Sequence, residues 1–167
     1  IIDRLAKEGV RFTQHYSNGT ECSPTRTALL TGRYPQWAGG LECAIGTGNV
    51  GRYDDAILLA DRRQLGLPAE QVVLPGELKK AGFVTGVFGK WHLGYEPHFN
   101  PIEHGWDELF GYLGGNVHYF NHRETSDLHV LFRGRLPVHS EGYMTHLITG
   151  SSTDFIARNK NKPFFLF

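Results

Sequence analysis

Cysteine is nearly absent from this sequence: Cys22 and Cys43 are the two in 167 residues. Two thiols do not make a disulfide framework, and nothing in the sequence demands that they pair. A charge bias is also missing. Seventeen basic and seventeen acidic residues leave a formal net charge of zero with histidines neutral. That removes the general electrostatic case for nucleic acid. No apolar run approaches a membrane span; the longest, the terminal PFFLF, is far too short. No internal repeat and no low-complexity tract is visible.

What is present reads as an ordinary globular chain. The apolar fraction is 40%, and the length allows one domain with a real core. The 21 glycines and 8 prolines imply many turns. Histidine is abundant, and five of the nine fall between His92 and His122. The chain starts inside an amphipathic helical pattern and stops inside what reads as a buried strand. It is therefore expected to be an internal piece of a longer protein, and the lack of a leader sequence carries no information.

Local pattern predicts the elements. Ile1, Ile2, Leu5 and Ala6 share one face of a short helix that Gly9 closes. VRFTQHYS, residues 10–17, alternates and reads as a strand. A loop follows, then a helix over TRTALLTG with Pro24 in its first turn and Gly32 at its end. Residues 42–67 read mostly as loop, with a short helix at 54–63. LPGELKKAG is a helix and FVTGVFGKW a buried strand. Residues 100–122 show no clear period. LHVLFRGRLPV reads as a hairpin turning at Gly134, 141–160 as an amphipathic helix and KPFFLF as a core strand. Met144, Leu147, Ile148, Phe155 and Ile156 form the apolar face of that last helix. Strand, helix, strand in this order predicts an α/β layer fold with a mostly parallel sheet.

The most informative stretch is ECSPTRTALLTGRYP, residues 21–35. A cysteine at a helix start is commonly a small buried hydrophobe. It is alternatively a reactive thiolate, since the helix N-terminus and Arg26 would both lower its pKa. The local grammar is more specific than either. Cys22-x-Pro24-x-Arg26, extended through Leu30, Thr31, Gly32 and Arg33, resembles the signature of the sulfatase family. A second block, GKWHLG at 89–94, resembles that family's second signature. HGWDELFGYLGGNVHYF and the final helix and strand are similar to later family blocks. The likeness covers nearly the whole chain and is nearest to arylsulfatase-like members.

The resemblance implies an alkaline-phosphatase-like α/β fold, with residues 1–167 forming part of an N-terminal catalytic domain. It implies that a maturation enzyme converts Cys22 to formylglycine. Hydrated, that residue offers one hydroxyl to attack sulfur and a second to expel sulfate. Arg26 would orient the diol, Lys90 would hold sulfate oxygens, and His92 would orient a hydroxyl or move a proton. The family binds a divalent metal, usually calcium, for which hard oxygen ligands suit. Cys22, as formylglycine, would contribute to it; the remaining ligands are expected outside this chain. Asp54 and Asp55 are rejected as substitutes, and Asp107 is expected to be structural. Many relatives carry a serine near Gly114 or Gly115. Here the pair is Gly-Gly, which puts that sulfate contact in question.

Several readings stay open at this level. Phosphonate monoester and phosphodiester hydrolases share the signature, and a non-catalytic binding domain that kept it is a third reading. A sulfated small molecule or a sulfated glycan is the expected substrate. Trp37, Trp106, Tyr112 and Tyr119 are candidates to stack on it; His118 and His122 are candidates to line the pocket. Arg33 is expected in a structural ion pair, and Cys43 as a packing residue or free thiol. The piece alone is expected to be inactive and marginally stable. The resemblance points to a periplasmic or secreted protein.

Overall fold

The computed structural model describes residues 1–39, 44–45 and 54–167, the side chains of 54–57 excepted. Ten elements follow in chain order. They are α1 (Ile2–Glu8), α2 (Cys22–Thr31), α3 (Asp54–Asp61), α4 (Leu74–Lys80), β1 (Val84–Lys90) and β2 (Glu108–Tyr112). The rest are β3 (Leu131–Arg133), β4 (Leu136–Pro137), α5 (Met144–Asn159) and β5 (Phe164–Leu166).

The strands form one sheet in the order β4-β3-β2-β1-β5. β1 is parallel to both β2 and β5. Parallel neighbours need a crossover; α5 leads into β5, and two 3-10 turns, Pro97–Phe99 and Pro101–His104, lie between β1 and β2. β2, β3 and β4 are antiparallel, the last two joined at Gly134 with φ 58°. The α/β layering predicted from the sequence is what forms, on a sheet that is mixed.

Alternation along the central strands splits the core in two. Val87 pairs with Leu109, and both join Leu30, Leu67, Val73, Trp91 and Trp106 in one apolar cluster. Phe88 pairs with Phe110 and faces Leu131, Met144, Leu147 and Ile148 in the other. The first cluster receives α2; the second is roofed by α5. Phe155 of α5 is fully buried, its ring 5.3 Å from that of Phe88. Burying a side chain of that size contributes about 2–3 kcal/mol before entropy. Gly86 makes room for it: a Cβ there would lie 2.9 Å from the Phe155 ring.

Some expectations are corrected. Residues 10–17 form no strand, and Val10, Phe12 and Tyr16 are all largely exposed. Alternation favours a strand only where a neighbour supplies hydrogen bonds and a packing surface, and no described strand lies alongside. The predicted apolar face of α1 buries nothing. Gly9 is extended rather than left-handed. β2 was not legible in 100–122 because a short strand buried on both faces loses its alternation. Ile156 is 41% exposed, and Asn159 takes the buried place one turn on. Its amide donates to the Phe155 carbonyl at 2.9 Å.

Candidate active site

Helix α2 starts at Cys22, directly after an extended Glu21 that makes no side-chain cap. The first-turn N–H groups of Cys22 and Ser23 thus have no capping oxygen from residue 21. Pro24, which has no N–H, sits in that turn at no hydrogen-bonding cost. Gly32 closes the helix in the left-handed region at φ 67°, donating to Ala28 at 2.9 Å. Ser23, Thr27, Ala28 and Leu30 face the core. Cys22 is left exposed at the mouth of a groove.

The second motif arrives from β1. Gly89 takes φ 123° and His92 φ 58°, so the chain twists sharply as the strand ends. Gly89 lies against Gly111 of β2, where an added Cβ would stand 1.9 Å from the Gly89 carbonyl oxygen. These conformations aim Lys90 at the start of α2. Its Nζ donates to Cys22 Sγ at 3.0 Å, across 68 residues of sequence. Arg26, one helical turn beyond Cys22, is half-buried. Its Nη1 donates to the Lys90 carbonyl at 2.7 Å, and its guanidinium lies 5.4 Å from the centre of the Phe167 ring. Burial lowers the Arg26 pKa, and the Tyr112 and Cys22 charges oppose that.

Cys22, Arg26 and Lys90 line one groove of about 470 Å³. Two cations there stand against one carboxylate, Glu21, which accepts a hydrogen bond from the Ala44 N–H. An exposed nucleophile position, two cations and a helix N-terminus suit a tetrahedral oxyanion.

His92 is placed differently. It does not line the groove and is 4% exposed. Its Nε2 bonds the Ile45 carbonyl, and its Nδ1 has no partner among the described residues. Burial pushes its pKa down to about 4, helped by the Lys90 and Arg26 charges, so the ring is neutral at pH 7. With Nε2 donating, Nδ1 carries the lone pair.

Sequence reasoning passed over Ser23, a variable position of the first motif. Its side chain is fully buried. Its Oγ donates to the His92 carbonyl at 2.8 Å and accepts from the Ile45 N–H at 3.1 Å. Ser23, Ile45 and His92 thereby close a ring of three hydrogen bonds that ties α2 to the end of β1. A hydroxyl on the buried side of the helix start was the only available signal.

The other candidates separate. A Cβ at Gly114 would fall 1.5 Å from Glu124 Oε1, and one at Gly115 2.6 Å from the His92 ring. A serine has no room at either place. The Glu124 carboxylate is held by the Tyr95 hydroxyl at 2.6 Å. His118 is an exposed loop residue whose Nδ1 accepts from the Phe120 and Asn121 N–H groups. His122 is buried, with Nε2 bonded to the Gly142 carbonyl at 3.0 Å. Trp106 is a core residue stacked on Phe165, whereas Trp37 is 77% exposed. Asp107 Oδ2 accepts from the Thr85 N–H and hydroxyl. Burial would raise its pKa, but Lys79 and Thr85 outweigh that and hold it below the usual carboxylate range. Arg33 makes no ion pair among the described residues. Cys43 and the side chains of Asp54 and Asp55 lie outside the described residues.

Among the described residues, no three His, Cys, Asp or Glu side chains converge to hold a metal ion. Those residues do not form a metal centre of their own.

A family model described as Sulfatase matches residues 1–167. The human N-acetylgalactosamine-6-sulfatase is 34% identical over 180 residues, covering 99% of this chain and 33% of the relative. The crystal structure of Ps i-CgsB in complex with k-i-k-neocarrahexaose superposes with TM-score 0.79 at 28% identity, covering 99% of this chain and 37% of that one. BT4656, solved with its substrate D-glucosamine-2-N,6-O-disulfate, gives TM-score 0.68 at 25% identity, covering 99% and 27%. The chain spans about a third of the length of the curated relatives it matches.

Proposed function

This chain belongs to the sulfatase family, and we propose that the protein it is part of hydrolyses a sulfate monoester at Cys22, converted to formylglycine by a maturation enzyme. Residues 1–167 would form part of its N-terminal catalytic domain. The observation that carries this reading is the 3.0 Å approach of Lys90 Nζ to Cys22 Sγ in a cation-rich groove.

A hydrated aldehyde at position 22 supplies two hydroxyls on one carbon, one to attack sulfur and one to release sulfate. The chain's own residues prepare the anion for that chemistry. Lys90 holds sulfate oxygens beside the attacking atom, where positive charge favours the transition state over the ground state. Arg26 braces the loop that carries Lys90 through its bond to the Lys90 carbonyl, and adds its charge to the groove. The uncapped N-terminus of α2 adds a partial positive charge at the same point. His92 supports from behind, its neutral Nδ1 being the acceptor for a hydroxyl proton. We further propose a divalent metal, calcium, with its carboxylate ligands outside this chain.

A sulfated glycan is the substrate class we favour. The human relative is named for an N-acetylgalactosamine 6-sulfate, and two similar structures were solved with sugar ligands. Among the described residues, no helix is long and apolar enough to cross a membrane; we propose a periplasmic or secreted setting.

Two measurements on the full-length protein from its native host test the reading. Mass spectrometry of the tryptic peptide spanning 12–26 should show loss of sulfur and gain of an aldehyde oxygen at Cys22. An intact thiol, in a host that modifies other such motifs, would overturn the mechanism and favour a non-catalytic domain. Turnover of an aryl phosphodiester in preference to an aryl sulfate would make the protein a phosphodiesterase of the same superfamily.

A further inference from the structure

Lys90 borders two depressions. On one side is the groove with Cys22. On the other is a cleft of about 360 Å³ that contains none of the motif residues except Lys90. One wall is the strand end and loop that carry Tyr112, Asn116 and Tyr119. The opposite wall is the first two turns of α5, with Thr145 and Thr149 at the rim and Met144 and Ile148 deeper. A backbone bond from the Met144 N–H to the Tyr119 carbonyl, 2.8 Å long, ties the walls together. The Tyr119 ring is half-exposed and stacks on Tyr143, with centroids 5.2 Å apart and planes 21° from parallel.

The geometry points to this cleft as the subsite for the sugar ring that bears the sulfate, an assignment that rests on the sulfate-ester reading above. The chemistry of the walls carries it. Lys90 is the one charged residue lining the cleft among the described residues. It is therefore a neutral pocket attached to a cationic edge, the complement of a neutral ring with one anionic substituent. With the sulfate at Cys22 and Lys90, the rest of the ester extends past Lys90 into the cleft. An amide and two threonine hydroxyls at the rim match ring hydroxyls and an acetamido group. The braced tyrosine offers an amphipathic flat face to the C–H face of a pyranose. A plain aryl ring would leave those rim groups unpaired, which costs affinity.

The test uses full-length enzyme in which conversion of Cys22 has been verified by mass. It compares kcat/KM on N-acetylgalactosamine 6-sulfate and on 4-methylumbelliferyl sulfate for wild type, Thr145→Trp and Tyr119→Ala. Both positions are exposed, so both variants should fold, and each checks the other. The sugar-to-aryl ratio should fall by about tenfold or more in each variant, mainly through KM for the sugar. An unchanged ratio in both overturns the proposal: either the ring lies elsewhere or another part of the protein covers the cleft. Turnover of the aryl ester but of no sugar sulfate also overturns it, while leaving the sulfatase reading intact. Turnover of neither ester by wild type sinks that reading and this assignment with it.

Discussion

Helices α1 and α2 are both short, and neither has a side-chain cap. Their fates differ. Every residue of α1 is solvent-exposed, including Ile2 and Leu5. In α2, five of ten residues are buried. Its first turn is also tied by Ser23 to a carbonyl 69 residues away. A short helix is marginal by propensity alone and becomes a fixed part of a structure through what it packs against. The chemistry sits on the helix that is anchored. A nucleophile must be held to within a fraction of an ångström of the groups that assist it.

That contrast can be sharpened or broken, beginning with the largest effect. Lys90→Ala removes the cation beside Cys22 and should cost about 10³-fold in kcat/KM on a sulfate ester, roughly 4 kcal/mol. Conversion of Cys22 should be unaffected. A loss below tenfold, measured by steady-state kinetics, would mean that Lys90 does not touch the reacting group.

Acid should act on the anchored half next. His92 and His104 are both buried, and burial pushes each from 6.5 down to about 4. Between those values the unfolded chain binds protons that the folded one refuses. Stability is therefore complete above about pH 6.5 and falls as pH drops toward 4, by roughly 3 kcal/mol per histidine at most. Urea melts across that range should show the slope, and His104→Gln should flatten about half of it. A flat profile would mean that neither ring is buried neutral.

Ser23→Ala comes third. It leaves the His92 carbonyl and the Ile45 N–H without their shared partner, at a cost of about 1–3 kcal/mol. It should also lower kcat more than it raises KM, because His92 and Lys90 lose their register with α2. Thermal melts and kinetics on the same preparation separate the two effects. Leu5→Ala is last: on α1 as it stands, the change should stay within about 0.5 kcal/mol. A larger loss in the full-length protein would show that α1 packs against some other part of it.

Legibility followed the same divide. Pro24 and Gly32 marked the start and end of α2 because their backbone restrictions act locally. α4, α5, β1 and β5 were readable from periodicity, length and their bounding glycines and prolines. The 10–17 segment was misread because alternation records only that a strand is possible, not that a neighbour exists. At the site, Cys22, Arg26 and Lys90 could be named from motif spacing, and the fold brings them to one groove. His92 was named as well. That its ring would lie behind the groove, fastened to Ile45, depended on a partner 47 residues away. Ser23 was invisible because its role is to bridge two segments that no local pattern connects.

The sequence by itself determined the family and the chemistry, because the spacing of cysteine, proline, arginine, lysine and histidine is itself the recognisable signal. Only the tertiary structure decided which of those groups reach the groove and which stand behind it. It also decided that Gly114 and Gly115 leave no room for a serine, and that Lys90 joins the groove to a second cleft. Those outcomes come from close packing between elements distant in sequence, where a single Cβ or one buried hydroxyl settles what fits.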